Sequence, residues 1–227
     1  KMAATFYSSA RKLWLFYLFF TLLEAVLLSI GGMGIFDAIC HSFTTMATGG
    51  FSTKQDSIAY WNSPYIQYVI IVFMCIAATN FGLFYAALKG DVKKLLLDEE
   101  FRWYMILILG ATTIIATGLY WANWGEEEKC IRDALFQVVS IMTTTGFATA
   151  DYLYWPTLLG LILFILMFIG SCASSTAGGI KVIRVVLLFK NSFTEMKRII
   201  HPNAVINVKY NDKSVHPTIM TSVMGFF

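Results

Sequence analysis

One passage of this chain occurs twice, and the two copies are 96 positions apart, as Asp37 and Asp133 illustrate. Each copy lies between long apolar segments and ends in a run of Thr and Gly. A repeat of this kind predicts similar units arranged around an axis. In a membrane, a non-helical turn is tolerated only where protein or a water-filled cavity surrounds it, so both copies are expected to be re-entrant pore loops. The matched positions are 37–38 with 133–134, 46 with 142, 48 with 144, 50–51 with 146–147, and 53 with 149.

Four long apolar segments predict that this chain folds in a lipid bilayer. They cover residues 13–30, 64–88, 105–124 and 153–189, and each reaches the roughly 17 to 25 residues that a span requires. The 227 residues are 57% hydrophobic and only 14% charged, which excludes an ordinary soluble domain. A signal peptide is the competing interpretation of residues 13–30, but Glu24 lies inside that run and a convincing cleavage site is lacking. The predicted fold class is an all-α membrane protein.

The distribution of basic residues predicts the orientation. If segments 32–63 and 122–156 face one side, they hold only Lys54, Lys129 and Arg132 of the 17 Lys and Arg residues. The side with the remaining 14 is predicted to be cytoplasmic. The same outer segments hold seven carboxylates, a balance of −4, which would attract cations. The alternative is that these are solvated loop charges, with Asp37 and Asp133 placed near helix N-termini where the dipole favours an anion.

The order of segments divides the chain into two helix–pore loop–helix units. The first unit, with its cytoplasmic connector, covers residues 1–100, with a pore helix at 36–46 and a pore loop at 48–53. The second covers residues 101–200, with a pore helix at 131–143 and a pore loop at 144–151. Residues 201–227 are predicted to form a cytoplasmic linker and the start of a further unit. Cysteines and histidines are scattered, so no disulfide framework or compact metal motif is expected.

The two pore loops have the composition of a cation filter. Closely spaced backbone carbonyls can replace the hydration shell of an ion without a fixed charge that would hold the ion too tightly. Glycine permits the backbone angles that turn successive carbonyls toward one axis, and Thr can add a hydroxyl oxygen. Either loop alone could be an ordinary turn, but two aligned copies favour a filter. The predicted ion-binding residues are Thr48, Gly49, Gly50, Thr144, Thr145 and Gly146.

Four stretches of the sequence resemble the membrane subunit of Trk-type potassium transporters, the TrkH and KtrB superfamily. The resemblance implies four helix–pore loop–helix units around one potassium pathway, of which this chain resembles the second and third. It lacks the first unit and most of the fourth, so it is expected to be a segment of a longer protein. The stretches are residues 48–53, 144–152, 175–181 and 201–205.

The resemblance also implies a function and its partners. Potassium uptake across the bacterial inner membrane is expected, with K+ in the filter and no organic cofactor. The glycines at positions 50 and 146 favour K+, because a Ser there is associated with Na+ permeation in the family. A sodium-permeable or ion-coupled symporter of the same family is the alternative. The expected partners are the membrane, a second copy in a homodimer, and a cytoplasmic nucleotide-binding subunit of the TrkA or KtrA kind, with no nucleic acid.

Ten small residues at positions 170–179, called the gate loop below, interrupt the fourth apolar segment. That segment is about twice as long as a straight span requires. A broken helix inside a membrane is expected where it lines a cavity, and the resemblance implies a loop that gates the pathway beneath the filter. The alternative is a small-residue surface for close helix packing. The predicted gate residues are Gly170, Ser174, Ser175, Thr176, Gly178 and Gly179.

Basic residues dominate the chain after the gate loop. Residues 181–213 carry seven basic and two acidic side chains, a balance of +5. By resemblance this face would dock the regulatory subunit, although anionic lipid headgroups are the commoner partner of such a stretch and a simple cytoplasmic helix anchor is a further alternative. The residues singled out are Lys181, Arg184, Lys190, Lys197 and Arg198.

Two polar residues lie inside predicted spans. Glu24 is a candidate functional acid, with a structural role as the alternative. Asn80 is expected to bond to another helix, with a pore-lining role as the alternative. An intramembrane serine hydrolase is the competing class, with Ser171, Ser174 or Ser175 as nucleophile and His41 as base. It is disfavoured because His41 precedes the outer filter and the serines lie deeper. A membrane scaffold would leave the repeat unexplained, so the chain is not expected to be an enzyme or a scaffold.

Overall fold

The computed structural model describes residues 2–201, 207–211 and 213–226, and these are mostly helical. The predicted motif at 201–205 therefore lies, apart from His201, outside the described residues. Two single-turn 3-10 helices, Ser57–Tyr60 and Tyr152–Tyr154, follow the pore loops, and strands β1 (Lys209–Tyr210) and β2 (Lys213–Ser214) form an antiparallel hairpin. The helices are α1 Met2–Ile30, α2 Ile35–Met46, α3 Pro64–Ala77, α4 Phe81–Leu88, α5 Val92–Leu97, α6 Glu99–Trp121, α7 Glu127–Met142, α8 Thr157–Phe168, α9 Val182–Ile200 and α10 Pro217–Met224.

The predicted helical membrane fold is confirmed. Leu13–Ile30 within α1 and Glu99–Trp121 (α6) are each long and apolar enough to cross a membrane. The short helices α2 and α7 each follow one of these long helices and lead into a pore loop. Helix α7 begins four residues before the predicted start, because Glu127 and Glu128 fill its first turn, where the helix dipole stabilises acidic side chains.

The predicted span over residues 64–88 is broken into two helices, which pass as a membrane span only when taken together. The chain forms α3 and α4, which are bent by 108° across residues 78–80. The Asn80 side chain accepts hydrogen bonds from the backbone N–H groups of Gly82 and Leu83, and such an N-cap satisfies two donors at a new helix start. Asn80 therefore caps its own helix α4 rather than bonding to another helix through its side chain.

The predicted break in the fourth apolar segment is confirmed. Helix α8 ends at Phe168 and α9 begins at Val182, so the gate loop lies between them. A parallel bridge between Ile169 and Ile180 closes the two ends of this loop. The gate loop is thus a re-entrant excursion of the chain with its two ends side by side.

The core surrounds the second pore helix. Phe136, Val138, Val139 and Met142 of α7 are fully buried, and α7 contacts α3, α6 and α8. Burying α7 on three sides fixes the position of the loop that follows it. The larger apolar cluster includes Met74, Tyr104, Ile115, Leu119 and Leu163 from the surrounding helices.

Candidate ion pathway

The first pore loop leaves α2 in an alternating backbone conformation. Thr48 has φ +51° and Gly50 has φ +66°, whereas Gly49 between them does not have positive φ. The left-handed conformation costs a non-glycine residue about 1 to 2 kcal/mol, so Thr48 is a strained position of the kind found at functional sites. The Thr44 hydroxyl stabilises the turn by donating to the Phe51 carbonyl at 3.0 Å.

The second pore loop repeats this conformation at the matched positions. Thr144 has φ +55° and Gly146 has φ +86°, with Thr145 between them outside the positive range. The Ser140 hydroxyl donates to the Phe147 carbonyl at 2.6 Å, which is the counterpart of the Thr44 bond in the first loop. Positive φ at alternate residues permits successive carbonyls to face one side, which a carbonyl-lined filter requires.

The carbonyl groups of the six predicted filter residues are free. Across the part of the chain that the structure describes, none of them accepts a hydrogen bond. Buried carbonyls are normally satisfied by protein or water. Thr48 and Thr145 are buried, whereas Gly49 and Gly146 are exposed. Backbone oxygens without a protein partner in two matched loops are available to coordinate a cation.

The two pore loops lie side by side. A Cβ atom on Gly50 would overlap the carbonyl of Thr145, whereas a Cβ on Gly146 would meet no described atom within 4 Å. Farther out, the Ala59 N–H donates to the Ala148 carbonyl at 3.1 Å and the Ala148 N–H donates to the Ser57 hydroxyl at 3.2 Å. These contacts hold the loops together and leave space beside Gly146.

Polar groups on α2 fix the outer end of the first loop. The Thr53 hydroxyl donates to Asp37 Oδ1 at 2.6 Å, and Lys54 Nζ lies 3.6 Å from Asp37 Oδ2. The hydrogen bond from Thr53, together with Lys54, lowers the pKa of Asp37. The buried His41 ring contacts the Asp37 carbonyl through Nδ1 and the Ser52 hydroxyl through Nε2. Asp37 and His41 thus support the backbone of the loop.

The gate loop contacts the second pore loop and both pore helices. Its Gly178 N–H donates to the Thr144 hydroxyl at 2.7 Å. The Thr176 hydroxyl donates to the carbonyl of Met46, the last residue of α2, at 3.0 Å. The Ser171 hydroxyl donates to the carbonyl of Met142, the last residue of α7, at 2.9 Å. The loop therefore binds the C-terminal ends of both pore helices.

The break between α3 and α4 forms the second support of the gate loop. Freed carbonyls there accept from the loop: Cys172 N–H donates to Ala78 at 3.2 Å and Thr176 N–H donates to Ala77 at 3.3 Å. The two breaks thus satisfy each other's backbone groups, which an apolar environment requires. Sequence reasoning missed this contact because residues 77–79 carry no distinctive motif.

Predicted gate residues have distinct local roles. Gly170 lies against the backbone of residues 178–180, where a Cβ would overlap a carbonyl oxygen. Ser174 and Gly179 adopt positive φ, +58° and +69°, and the Ser175 hydroxyl donates to the Cys172 carbonyl. These bonds shape the loop internally, while Thr176 and Gly178 attach it to the pore helices and filter.

The five basic residues singled out in the sequence do not form one uniform surface. Lys181 Nζ donates to the Ala177 carbonyl at 2.7 Å and so binds the gate loop itself. Lys190 pairs with Glu99 at 2.6 Å, and the Arg184 guanidinium lies 4.3 Å from the centre of the Phe226 ring. The remaining two, Lys197 and Arg198, are on the exposed end of α9, with Arg198 paired to Glu195.

The serine and histidine arrangement of a hydrolase is not formed. The Ser171 and Ser175 hydroxyls bond to backbone carbonyls, and both His41 nitrogens contact groups of the first unit. Among the described residues, no group of three or more His, Cys, Asp or Glu could hold a metal ion. The chemistry of the site is that of backbone and hydroxyl oxygens.

Two acids are buried in the structure. The sequence offers no reason to single out Glu100, and it leaves the role of Glu24 open between function and structure. Glu100 is 3% exposed, and its Oε1 accepts from the N–H groups of Ala173 and Ile183 at the two ends of the gate loop. In the sequence it lies in a charged connector and looks solvated. Glu24 is fully buried in α1, and neither of its oxygens has a hydrogen-bond partner among the described residues.

The fold and the site together define a helical membrane protein with paired short helices and loops, and comparisons with known proteins identify its family. The family model for TrkH, described as a cation transport protein, matches residues 4–227. The chain therefore belongs to the TrkH family of cation transport proteins. This membership, with the serine geometry, excludes the hydrolase interpretation.

Individual relatives agree with this assignment. The Trk system potassium uptake protein TrkH of Escherichia coli (strain K12) is 42% identical over 229 residues, covering 100% of this chain and 47% of the relative. TrkG of the same strain is 33% identical over 228 residues, with the same coverage. The crystal structure of the potassium transporter TrkH from Vibrio parahaemolyticus is similar with a TM-score of 0.92 at 39% identity, over 97% of this chain and 48% of that one. The chain thus spans about half the length of these relatives.

Proposed function

We propose that this chain forms two of four units around a potassium uptake pathway in the bacterial inner membrane. The observation that carries the proposal is the set of six free carbonyls in two loops with matching backbone conformation. A potassium ion would exchange its water ligands for the carbonyl oxygens of Thr48, Gly49, Gly50, Thr144, Thr145 and Gly146. Two further units of the full-length protein would complete the ring.

The gate loop would control flow through this pathway. It lies against Thr144 at the inner end of the second pore loop and is attached to both pore helices. A loop at this position obstructs the exit of an ion until it moves. Its polar bonds to the second pore loop, α2, α7, α3 and α6 support a gate over a small-residue surface that only packs against apolar neighbours.

Selectivity tests the filter. In full-length protein reconstituted in liposomes, Gly146→Ser is expected to reduce discrimination of K+ over Na+, because a side chain would enter the space beside the carbonyls. The measurement is 86Rb+ influx with competing Na+. The matched control is Gly110→Ser, a glycine of α6 with equally open surroundings. Unchanged selectivity in Gly146→Ser, or an equal loss in both variants, would contradict the proposed filter.

Regulation would come from the cytoplasmic side. A loop with an open and a closed position responds only to a partner that binds one of them better than the other. The full-length protein would form a homodimer, and a nucleotide-binding subunit of the TrkA or KtrA kind would be that partner. The exposed end of α9, with Lys197 and Arg198, is the part of the basic stretch that supports docking best. Lys190 supports it less, since it is paired with Glu99.

Charge reversal tests the docking surface. Lys197→Glu combined with Arg198→Glu is expected to weaken co-purification of the regulatory subunit with the full-length protein, and Lys93→Glu on α5 provides the control. Retention of the complex and of its nucleotide response would remove this surface from the docking site. Binding to anionic liposomes, lost in the same variant, would then assign the residues to lipid contact.

A further inference from the structure

One buried carboxylate connects the two ends of the gate loop. Glu100 lies in the first turn of α6 and is 3% exposed. Its Oε1 accepts from the Ala173 N–H at 2.6 Å and from the Ile183 N–H at 3.3 Å. Ala173 lies near the beginning of the gate loop, and Ile183 lies in the first turn of α9, just after its end. A single oxygen therefore ties the beginning of the loop to the helix that follows it.

The burial of this charge indicates a specific role. A carboxylate removed from water is costly unless hydrogen bonds or opposite charges compensate. Bonds from N–H groups to an ionised carboxylate are about twice as strong as bonds between neutral groups. The Ile183 N–H is also one of the unpaired donors at a helix N-terminus, where the dipole favours an anion. The arrangement makes Glu100 a strong anchor for both segments.

The residues before Glu100 attach this anchor to the cytoplasmic side. Asp98 Oδ2 accepts from Asn211 Nδ2 at 2.8 Å, and the Glu99 N–H donates to Asn211 Oδ1 at 2.9 Å. The Glu99 carboxylate pairs with Lys190 of α9 at 2.6 Å. Three consecutive acids thus bind three different elements: the turn of the β1–β2 hairpin, α9 and the gate loop.

We infer that Glu100 is a positioning residue of the gate loop, which keeps the loop against Thr144 by holding Ala173 and Ile183 together. The inference rests on the proposed function of that loop as a gate. Without the carboxylate, both N–H groups lose their acceptor in an apolar environment. The Gly178 bond to Thr144 then has less support, and the loop leaves the pathway more often.

Ion flux in the full-length protein tests the inference. In liposomes without the regulatory subunit, Glu100→Ala is expected to raise 86Rb+ influx on the order of tenfold, as the loss of a charge-assisted hydrogen bond implies. Glu100→Gln retains a neutral acceptor and should give an intermediate rise. The control Asp91→Asn removes the surface ion pair with Lys94 and leaves the loop bonds in place, so its influx should stay near that of the wild type. Discrimination of K+ over Na+ should be unchanged in all three, because the filter is intact.

Accessibility of Cys172 provides a readout that does not depend on transport. This thiol is 1% exposed and precedes Ala173 in the gate loop. In full-length protein with Cys172 as its single cysteine, a water-soluble maleimide should label Glu100→Ala and Glu100→Gln faster than the wild type or Asp91→Asn. If Glu100→Ala does not purify as a folded protein, the labelling rate of Cys172 in Glu100→Gln tests the positioning role.

The outcomes separate this inference from the proposed function. Wild-type rates of both influx and Cys172 labelling in folded Glu100→Gln would overturn the inference. An influx that falls in proportion to the amount of folded protein, and does not rise, would overturn it as well. Faster labelling without higher influx would retain the positioning role and contradict the gate. If Gly146→Ser fails to alter selectivity in the same liposomes, the filter is contradicted, while the labelling result still decides the role of Glu100.

Discussion

The second long segment of each unit is broken, but the two breaks differ in length. In the first unit, three residues, 78–80, separate α3 from α4. In the second unit, thirteen residues, 169–181, separate α8 from α9 and form the re-entrant gate loop with its ends. The carbonyls of Ala77 and Ala78 at the shorter break accept hydrogen bonds from the N–H groups of Thr176 and Cys172 in the longer one. A break in the second long segment therefore supports the gate loop in the first unit and forms the candidate gate in the second.

The two pore loops differ in a similar way. Their backbone angles match, yet Gly50 is pressed against the Thr145 carbonyl and Gly146 borders open space. Phe147 after the second loop is 1% exposed, whereas Phe51 after the first is 76% exposed in this chain. The repeat thus preserves the conformation of the carbonyls while the surroundings of each loop are specific to its position.

The largest effect is expected from alanine at the two glycines. Both positions have positive φ, which costs alanine about 1 to 2 kcal/mol. Gly50→Ala also overlaps the Thr145 carbonyl, and such overpacking adds about 1 to 3 kcal/mol. In the full-length protein, Gly50→Ala should therefore lower the melting temperature more than Gly146→Ala and abolish 86Rb+ uptake. Equal losses of stability in the two variants would contradict the difference in crowding.

A smaller effect is expected where the two breaks meet. Thr176→Val removes the hydroxyl that donates to the Met46 and Ala77 carbonyls and keeps the side-chain volume. Loss of about 1 kcal/mol from the attachment should raise unregulated 86Rb+ influx by about fivefold. Thr113→Val is the control, since its hydroxyl bonds only within α6. An influx that is unchanged in Thr176→Val would show that the short break does not support the gate.

The smallest effect concerns Asp37 at the outer end of the first pore helix. The Thr53 hydrogen bond, together with Lys54, lowers the pKa of Asp37 in the folded protein. Asp37 therefore contributes stability above the ordinary carboxyl pKa, and this contribution is lost as the pH falls through the lowered value. The melting temperature of Asp37→Asn should be below that of the wild type at pH 7, and the two should converge in acid. A difference that does not depend on pH would contradict this role.

Sequence reasoning predicted those features that leave a compositional signal. The repeat identified both pore loops, and the ten small residues at 170–179 identified the longer break. The shorter break was missed because Ala78 and Thr79 are common inside helices, and only the side-chain bonds of Asn80 reveal the new N-terminus. Glu100 was missed because a buried acid at a helix start has the same sequence context as a solvated one. Long-range contacts of this kind depend on the fold and not on local pattern.

Anomalous diffraction from Rb+-soaked crystals of the full-length protein tests the central claim most directly. The claim is that the free carbonyls of the two pore loops replace the hydration shell of a transported cation. The account predicts an Rb+ peak bounded by the carbonyl oxygens of Thr48, Gly49, Gly50, Thr144, Thr145 and Gly146, with the gate loop on its inner side. Rb+ bound elsewhere in the protein, with these carbonyls bonded to other protein groups, would contradict it.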